Sequence, residues 1–165
     1  MRAVGIILAG GNNSRMKELS RKRAVGAMPI AGSYRAIDFA LSNMSNSHIQ
    51  KVAVLTQYNA WSLNEHLSSS KWWDFGRKQG GLFVFTPSIT SDNGFWYRGT
   101  ADAIAQNIAF LKKSHEPYVV IASADAVYKM DYNKVLEKHV ETGADLTIVC
   151  KNAGAVSYTH LRAHE

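Results

Sequence analysis

The sequence predicts an α/β protein built on a mostly parallel β-sheet. Short apolar runs of strand length alternate along the chain with segments whose apolar residues recur at helical spacing. The runs Ala3–Ala9 and Lys51–Thr56 are largely apolar, as expected of parallel strands that are buried on both faces. Strands that alternate with helices are joined by right-handed crossovers, which makes their sheet parallel.

The remaining elements follow from the same two patterns. A long polar and basic loop is predicted from Asn12 to Met28, and a short extended piece from Pro29 to Gly32. The third, fourth and fifth strands are predicted at Leu82–Thr86, Tyr118–Ser123 and Asp145–Cys150. Helices are predicted around Ile37–Met44, over Ala60–Ser69, from Thr100 as an N-cap through Leu111, and from Asp131 to a stop at Gly143.

Length and composition favour one domain that is not embedded in a membrane. The chain has 165 residues, the usual size of a single domain. None of its apolar runs reaches the ~20 residues that a membrane-spanning helix requires, and Gly10-Gly11 interrupts the first run where a signal peptide would continue. The single cysteine, Cys150, stands in an apolar run, where we expect a small core residue. These features predict a cytoplasmic protein without disulfides.

Positive charge is concentrated near the amino terminus. The first 23 residues carry six basic side chains against one acidic side chain, Glu18, which gives a formal charge of +5 out of the chain's +6. A strongly basic protein can bind nucleic acid, but here the charge lies in one loop. We therefore expect a small phosphorylated ligand and no nucleic-acid partner, with a solvated loop as the alternative.

The turn after the first strand is the first candidate site. Gly10-Gly11 lets the backbone bend sharply and bring its N–H groups close to a ligand. Arg15 follows and offers a forked donor for phosphate, and open α/β sheets bind ligands beyond the carboxyl ends of their strands. A simple strand-ending turn is the alternative.

Two further stretches are candidates for the same site. Asp125 follows the strand Tyr118–Ser123 and can hold Mg²⁺ against phosphates, or it can be a turn or cap residue. In the stretch Trp96–Asp102, Gly99 permits close backbone approach, and the aromatic side chains can stack on a base or sugar or cover the edge of the core. The histidines show no metal-ligand spacing, so we expect the following at the surface: His66, His115 and His139.

Five motifs in one order carry a resemblance to a known family. They are Leu8-Ala9-Gly10-Gly11, Tyr34–Asn43, Val54-Leu55-Thr56-Gln57-Tyr58, Gly99-Thr100-Ala101-Asp102-Ala103 and Tyr128–Tyr132. Together they resemble glucose-1-phosphate adenylyltransferase, also called ADP-glucose pyrophosphorylase, over about residues 3 to 151. The resemblance implies a Rossmann-like nucleotidyltransferase domain, followed in the family by a C-terminal half and a left-handed β-helix domain beyond this sequence.

The resemblance also implies a reaction and the residues that serve it. The family joins ATP and glucose 1-phosphate, with Mg²⁺, to give ADP-glucose and pyrophosphate in bacterial glycogen synthesis. The resemblance implies that Arg15 contacts pyrophosphate as a catalytic residue and that Asp125 is a metal ligand. It implies Tyr97 and Asp102 as substrate-binding residues. The nucleotide-binding residues that it implies are Leu8, Ala9, Gly10, Gly11, Gln57, Gly99 and Thr100.

The sequence departs from the catalytic members of that family at three places. Their loop resembles Gly-Gly-x-Gly-Thr-Arg-Leu, whereas Asn13 stands at the third glycine here. Their Arg-Ala-Lys-Pro-Ala-Val-Pro becomes Arg23–Pro29, in which Val25 replaces a phosphate-facing lysine and Gly26 replaces proline. Their Gly-Asp-His becomes Ala124-Asp125-Ala126. This pattern resembles the GlgD-type regulatory subunit, so we expect weak or absent turnover and a hetero-oligomer with a catalytic subunit.

Two alternatives to the regulatory subunit stay open. One is an active enzyme in which Arg21, Lys22 or Arg23 substitutes for the lysine, and the other is a non-enzymatic scaffold for the catalytic subunit. We assign residues 1–152 to the amino-terminal part of the nucleotidyltransferase domain. Residues 153–165 resemble translated sequencing-adapter DNA at a broken gene end, so we expect a non-native tail there, with a genuine flexible terminus as the alternative.

Overall fold

The chain forms two compact units, residues 1–132 and residues 133–165. The computed structural model describes residues 2–11, 14–76, 80–88 and 96–151. No helix in these ranges is both long enough and apolar enough to span a bilayer.

Six strands and five α-helices are present in the described ranges. The strands are β1 (Ala3–Ala9), β2 (Pro29–Ile30), β3 (Tyr34–Arg35), β4 (Lys51–Thr56), β5 (Gly81–Phe85) and β6 (Tyr118–Ser123). The helices are α1 (Ala36–Asn46), α2 (Trp61–Leu67), α3 (Thr100–Gln106), α4 (Ile108–Ser114) and α5 (Tyr132–Thr142). Short 3-10 helices lie at Ser14–Ser20, Val25–Ala27 and Ser70–Trp73.

The main sheet has four strands in the order β5-β4-β1-β6. All its neighbouring strands are parallel, and Ile6 of β1 lies opposite both Ala53 of β4 and Ile121 of β6. Strands β2 and β3 form a separate antiparallel hairpin. Because parallel strands end at the same edge, the chain segments that follow β1, β4 and β6 meet there. The parallel α/β sheet predicted from the sequence is confirmed.

Helices cover both faces of the sheet. Successive side chains of a strand point to opposite faces, so Gly5 and Ile6 mark the two sides of β1. On the Gly5 side, a Cβ built on Gly5 would lie 2.9 Å from Sδ of Met44 in α1. On the Ile6 side, Ile6 belongs to a buried cluster with Ala103 of α3, and Phe110 of α4 packs against that cluster. This is the layered arrangement of a Rossmann-like domain.

The prediction of a strand at Asp145–Cys150 is wrong. These residues form neither helix nor strand, and Leu146 and Ile148 are 75% and 72% exposed. Cys150 is also exposed rather than a core residue. A strand is stable only where a neighbouring strand satisfies its backbone groups, and none of the described strands pairs with this segment.

The helix predicted from Thr100 is divided in two at Asn107. The side chain of Asn107 donates from Nδ2 to the carbonyl oxygen of Ala103 at 2.8 Å. Asparagine side chains that bond nearby backbone groups compete with helical hydrogen bonds, which accounts for the break. Thr100 is the first residue of α3, and Gly99 rather than Thr100 occupies the N-cap position.

The predicted loop from Asn12 to Met28 contains more local structure than expected. Its described part includes the two 3-10 helices Ser14–Ser20 and Val25–Ala27, with a kink at Lys17. Residues 12 and 13 lie outside the described ranges.

The second unit contains most of α5, and its described residues after that helix form no regular secondary structure. Gly143 has a φ of +61° and ends the helix, as predicted from its lack of a side chain. Within this unit, Nδ1 of His139 lies 2.8 Å from Oγ1 of Thr147.

Candidate functional site

A cavity of about 600 Å³ opens at the carboxyl ends of β1, β4 and β6. It lies entirely within the first unit. Three sheet strands and the segments after them supply one part of its wall, and the segment before α3 supplies another. The lining residues are Leu8, Ala9, Gly10, Gly11, Val25, Gly26, Leu55, Gln57, Tyr58, Tyr97, Arg98, Gly99, Thr100, Ala103, Ser123, Ala124 and Asp125.

The two glycines after β1 have different surroundings. A Cβ built on Gly10 would lie 3.2 Å from Cβ of Gln57, whereas a Cβ on Gly11 would meet no atom of the described residues within 4 Å. Gly10 therefore allows the turn to pack closely against the segment after β4, and Gly11 leaves the backbone open to a ligand. The N–H of Ala124 donates to the carbonyl oxygen of Leu8 at 3.0 Å, which ties the end of β6 to the same turn.

Gln57 offers an unused acceptor in the cavity wall. Its Oε1 is buried and has no hydrogen-bond partner among the described residues. A buried polar atom without a partner costs free energy of about 1–3 kcal/mol, and such atoms in native proteins call for an explanation. A donor on a bound ligand would satisfy this oxygen.

Among the described residues that line the cavity, Asp125 is the acidic one. It is exposed, and the hydroxyl of Ser123 donates to its Oδ1. Among the described residues, no group of three or more His, Cys, Asp or Glu side chains could hold a metal ion. Protein sites for Mg²⁺ often use one or two carboxylates together with substrate phosphates. Asp125 fits a metal of that kind and does not fit an all-protein metal cage.

The segment before α3 contributes an aromatic residue, Tyr97, to the cavity wall. Tyr97 is buried, and its hydroxyl oxygen accepts from Nδ2 of Asn107 at 3.0 Å. The neighbouring Trp96 stacks on Tyr58, with ring centroids 5.6 Å apart and planes inclined by 11°. Because Tyr58 follows β4 and Trp96 precedes α3, this stacked pair joins the two parts of the cavity wall.

Most of the residues named from the sequence come together in this cavity. Those that line it are Leu8, Ala9, Gly10, Gly11, Gln57, Tyr97, Gly99, Thr100 and Asp125. Asp102 does not line it; its Oδ2 instead accepts from the N–H of Arg98 at 2.9 Å and from Nε2 of Gln106 at 2.8 Å. The side chain of Arg15 lies outside the part of the chain that the structure describes.

Arg98 is a lining residue to which the sequence analysis assigned no role. Arg21, Lys22 and Arg23, the cations named there as substitutes for the lysine, are exposed and absent from the cavity lining. Arg98 stands in the candidate stretch Trp96–Asp102, between Tyr97 and Gly99. Its place directly before that glycine was the signal that could have identified it.

Comparison with known proteins identifies the family to which this domain belongs. The nucleotidyl transferase family model matches residues 4–157, so the chain belongs to that family. Among curated proteins, the chain is 48% identical over 145 residues to the glucose-1-phosphate adenylyltransferase of Clostridium novyi, covering 88% of this chain and 38% of the relative. It is 46% identical over 147 residues to that of Thermosipho africanus, covering 89% of this chain and 36% of the relative.

The chain therefore spans somewhat more than a third of the length of these relatives. A solved structure of a Bacillus anthracis protein assigned as a glucose-1-phosphate thymidylyltransferase, in complex with sucrose, has a similar fold. The TM-score is 0.64 at 19% identity, and the match covers 84% of this chain and 50% of the other. At that identity the likeness concerns the fold alone.

Proposed function

We propose that the chain is the amino-terminal part of a glucose-1-phosphate adenylyltransferase subunit of the regulatory type. Such a subunit binds ATP and turns it over weakly or not at all, as part of an enzyme that makes ADP-glucose and pyrophosphate for glycogen synthesis. The observation that carries the proposal is Val25, which lies in the cavity wall where the catalytic pattern has lysine. Its partner would be a catalytic subunit in a cytoplasmic hetero-oligomer.

The lining residues have distinct parts in binding under this proposal. The backbone from Leu8 to Gly11 would hold the nucleotide, together with Gly99 and Thr100. The unpartnered Oε1 of Gln57 would accept a hydrogen bond from the nucleobase, since adenine carries an amino group. Tyr97 would face the sugar phosphate. Arg15 would contact the pyrophosphate, and Asp102 would act on the site through the backbone of Arg98.

The chemistry explains why a missing lysine matters. An oxygen of glucose 1-phosphate attacks the α-phosphorus of ATP, and the bond to the bridging oxygen breaks as pyrophosphate leaves. Catalysis of such a displacement rests on positioning and on neutralising charge in the transition state. Mg²⁺ bound at Asp125 would supply positive charge against the phosphates. Val25 supplies none, and losing one such stabilising contact commonly lowers the rate ~10²–10³-fold.

Turnover by the intact subunit alone tests this proposal. The measurement is pyrophosphate release with ATP, Mg²⁺ and glucose 1-phosphate, with a catalytic relative as the positive control. Little release from the subunit alone, together with ATP binding by calorimetry, would support the regulatory type. Robust release would establish an active enzyme instead, and absence of ATP binding would establish a scaffold.

A further inference from the structure

We propose that Arg98 is the cation that binds the nucleotide phosphates in this cavity, in place of the lysine that the sequence lacks. The inference rests on the proposed function, because it takes ATP as the ligand. It adds a binding residue that neither the glycine turn nor Asp125 accounts for.

The first argument is the charge of the cavity wall. Among its described lining residues, Arg98 and Asp125 are the charged ones, and Val25 is neutral. A nucleoside triphosphate carries several negative charges, and Asp125 adds another. With Val25 at the lysine position, the described wall has one positive side chain, Arg98, to oppose them. The charge of phosphates in a partly closed site is opposed most effectively by a nearby cation.

The second argument is that the guanidinium of Arg98 is uncommitted. Its side chain is exposed, and within the described part of the chain its hydrogen bonding involves the backbone N–H alone. A guanidinium can form two parallel hydrogen bonds to a phosphate. Arg2 and Arg21, by contrast, each pair with a glutamate, at 3.0 Å and 3.5 Å.

The third argument is that the backbone of Arg98 is fixed. Its N–H donates to Oδ2 of Asp102 at 2.9 Å, and Gln106 donates to the same oxygen at 2.8 Å. On one side of Arg98, Tyr97 is buried. Asp102 is therefore a positioning residue that holds the start of the Arg98 side chain at the cavity wall. Fixing the backbone lowers the conformational entropy that Arg98 loses when it binds a phosphate.

ATP affinity and ATP turnover then depend on different positions. Arg98 would retain the phosphates, while Val25 leaves the transition state without its lysine. A subunit built in this way binds ATP and turns it over weakly or not at all.

Calorimetry on the intact protein, with ATP and with adenosine, tests the assignment. The variants are Arg98→Gln, Arg98→Lys and, as a control that removes one exposed cation away from the cavity, Lys112→Gln. We expect Arg98→Gln to weaken ATP binding about tenfold or more and to leave adenosine binding unchanged. Arg98→Lys should recover part of the loss, and Lys112→Gln should bind as the parent does. The salt dependence of ATP binding should also be smaller in Arg98→Gln.

The outcomes separate this inference from the proposed function. If the parent binds ATP and Arg98→Gln binds it equally well, the role of Arg98 is overturned while the proposed function stands. If Lys112→Gln weakens ATP binding as much as Arg98→Gln does, the effect is one of net charge and the role of Arg98 is again overturned. If the parent binds neither ATP nor adenosine, the proposed function fails and the inference fails with it.

Discussion

Gly26 and Ala124 lie against each other beside the cavity. A Cβ built on Gly26 would lie 3.0 Å from the Cβ of Ala124. Both positions depart from the catalytic pattern that the sequence resembles, which has proline where Gly26 stands and glycine where Ala124 stands. Gly26 is smaller than the proline of the catalytic pattern, and Ala124 is larger than the glycine of that pattern, so the two departures compensate in volume. We infer that they are coupled.

A double-mutant cycle measures that coupling. We expect Gly26→Ala to lower the free energy of unfolding by about 1–2 kcal/mol, because the new methyl group overpacks the contact with Ala124. Adding Ala124→Gly removes the opposing methyl group and should recover at least about 0.5 kcal/mol of that loss. Urea denaturation of the parent, both single variants and the double variant gives the coupling energy. Strictly additive effects would show that the two positions do not interact.

Because Gly26 lies against Ala124, restoring the catalytic pattern at position 26 also requires a change at position 124. We expect the triple variant Asn13→Gly, Val25→Lys and Gly26→Pro to need a fourth change, Ala124→Gly. With all four changes, ADP-glucose synthesis should rise by at least about tenfold, because the lysine at position 25 supplies positive charge. The glycine at position 124 makes room for the proline at position 26. Pyrophosphate release by the three- and four-residue variants of the intact subunit is the measurement. No gain from the four-residue variant would place the defect elsewhere in the subunit.

The two glycines of the turn should respond differently to added bulk. Gly11→Val should leave the protein folded, because a Cβ there meets no atom within 4 Å in the part of the chain that the structure describes, and it should abolish ATP binding by filling the cavity. Gly10→Val is the matched comparison and should destabilise the fold, because its Cβ would lie 3.2 Å from Gln57. Melting curves and ATP calorimetry on both variants test this. Unchanged ATP affinity in Gly11→Val would mean that the turn is structural only.

Asn43 connects two of the motifs quoted from the sequence. Its Nδ2 donates to the carbonyl oxygen of Tyr128 at 3.0 Å, and its Oδ1 accepts from the N–H of Met130 at 3.1 Å. Asn43→Ala leaves both backbone groups without this partner, and we expect it to lower the free energy of unfolding by about 1–3 kcal/mol. Chemical denaturation gives the value. A change below about 0.5 kcal/mol, the usual range of surface substitutions, would contradict this role.

We expect the phenol of Tyr132 to make the folded protein less stable in alkaline solution. Burial, and then the neighbouring hydroxyl of Tyr128, raise the pKa of the Tyr132 phenol above its ordinary value of 10.0. Its stabilising effect is therefore complete below pH 10.0. It is lost as the pH rises from there through the raised pKa of the folded state, because the unfolded chain releases the proton first. Tyr132→Phe should make stability less dependent on pH above about 10. Equal alkaline slopes for parent and variant would rule out this phenol as the cause.

The strands and the first helix were accessible from the sequence because their signals are local. Ala3–Ala9, Lys51–Thr56 and Tyr118–Ser123 are short apolar runs, and the structure has strands over the same bounds. Asp145–Cys150 has the same pattern and is not a strand. Whether such a run pairs depends on which strand lies next to it in space, and that information is not carried by the run itself.

The environment of the His66 side chain also could not be predicted from local sequence patterns. From the sequence we expect His66 at the surface, but its Nε2 lies 2.6 Å from Oδ1 of Asp38, in a largely buried pair. The other carboxylate oxygen of Asp38 accepts from the N–H of Arg35 at 2.9 Å, which caps the start of α1. The partners of Asp38 come from two different elements, so spacing along the chain could not reveal them.

At the candidate site, local sequence patterns are enough to place the glycine turn, Gln57 and Asp125 directly after predicted strands. A parallel sheet brings the ends of its strands to one edge, so residues that follow different strands can be grouped from the sequence alone. Only the packing of the folded chain distinguishes two residues of the stretch Trp96–Asp102: Arg98 lines the cavity, and Asp102 accepts a hydrogen bond from the backbone N–H of Arg98. It also decided that Gly26 faces Ala124. Such contacts depend on how separate segments pack together, which local sequence patterns do not specify.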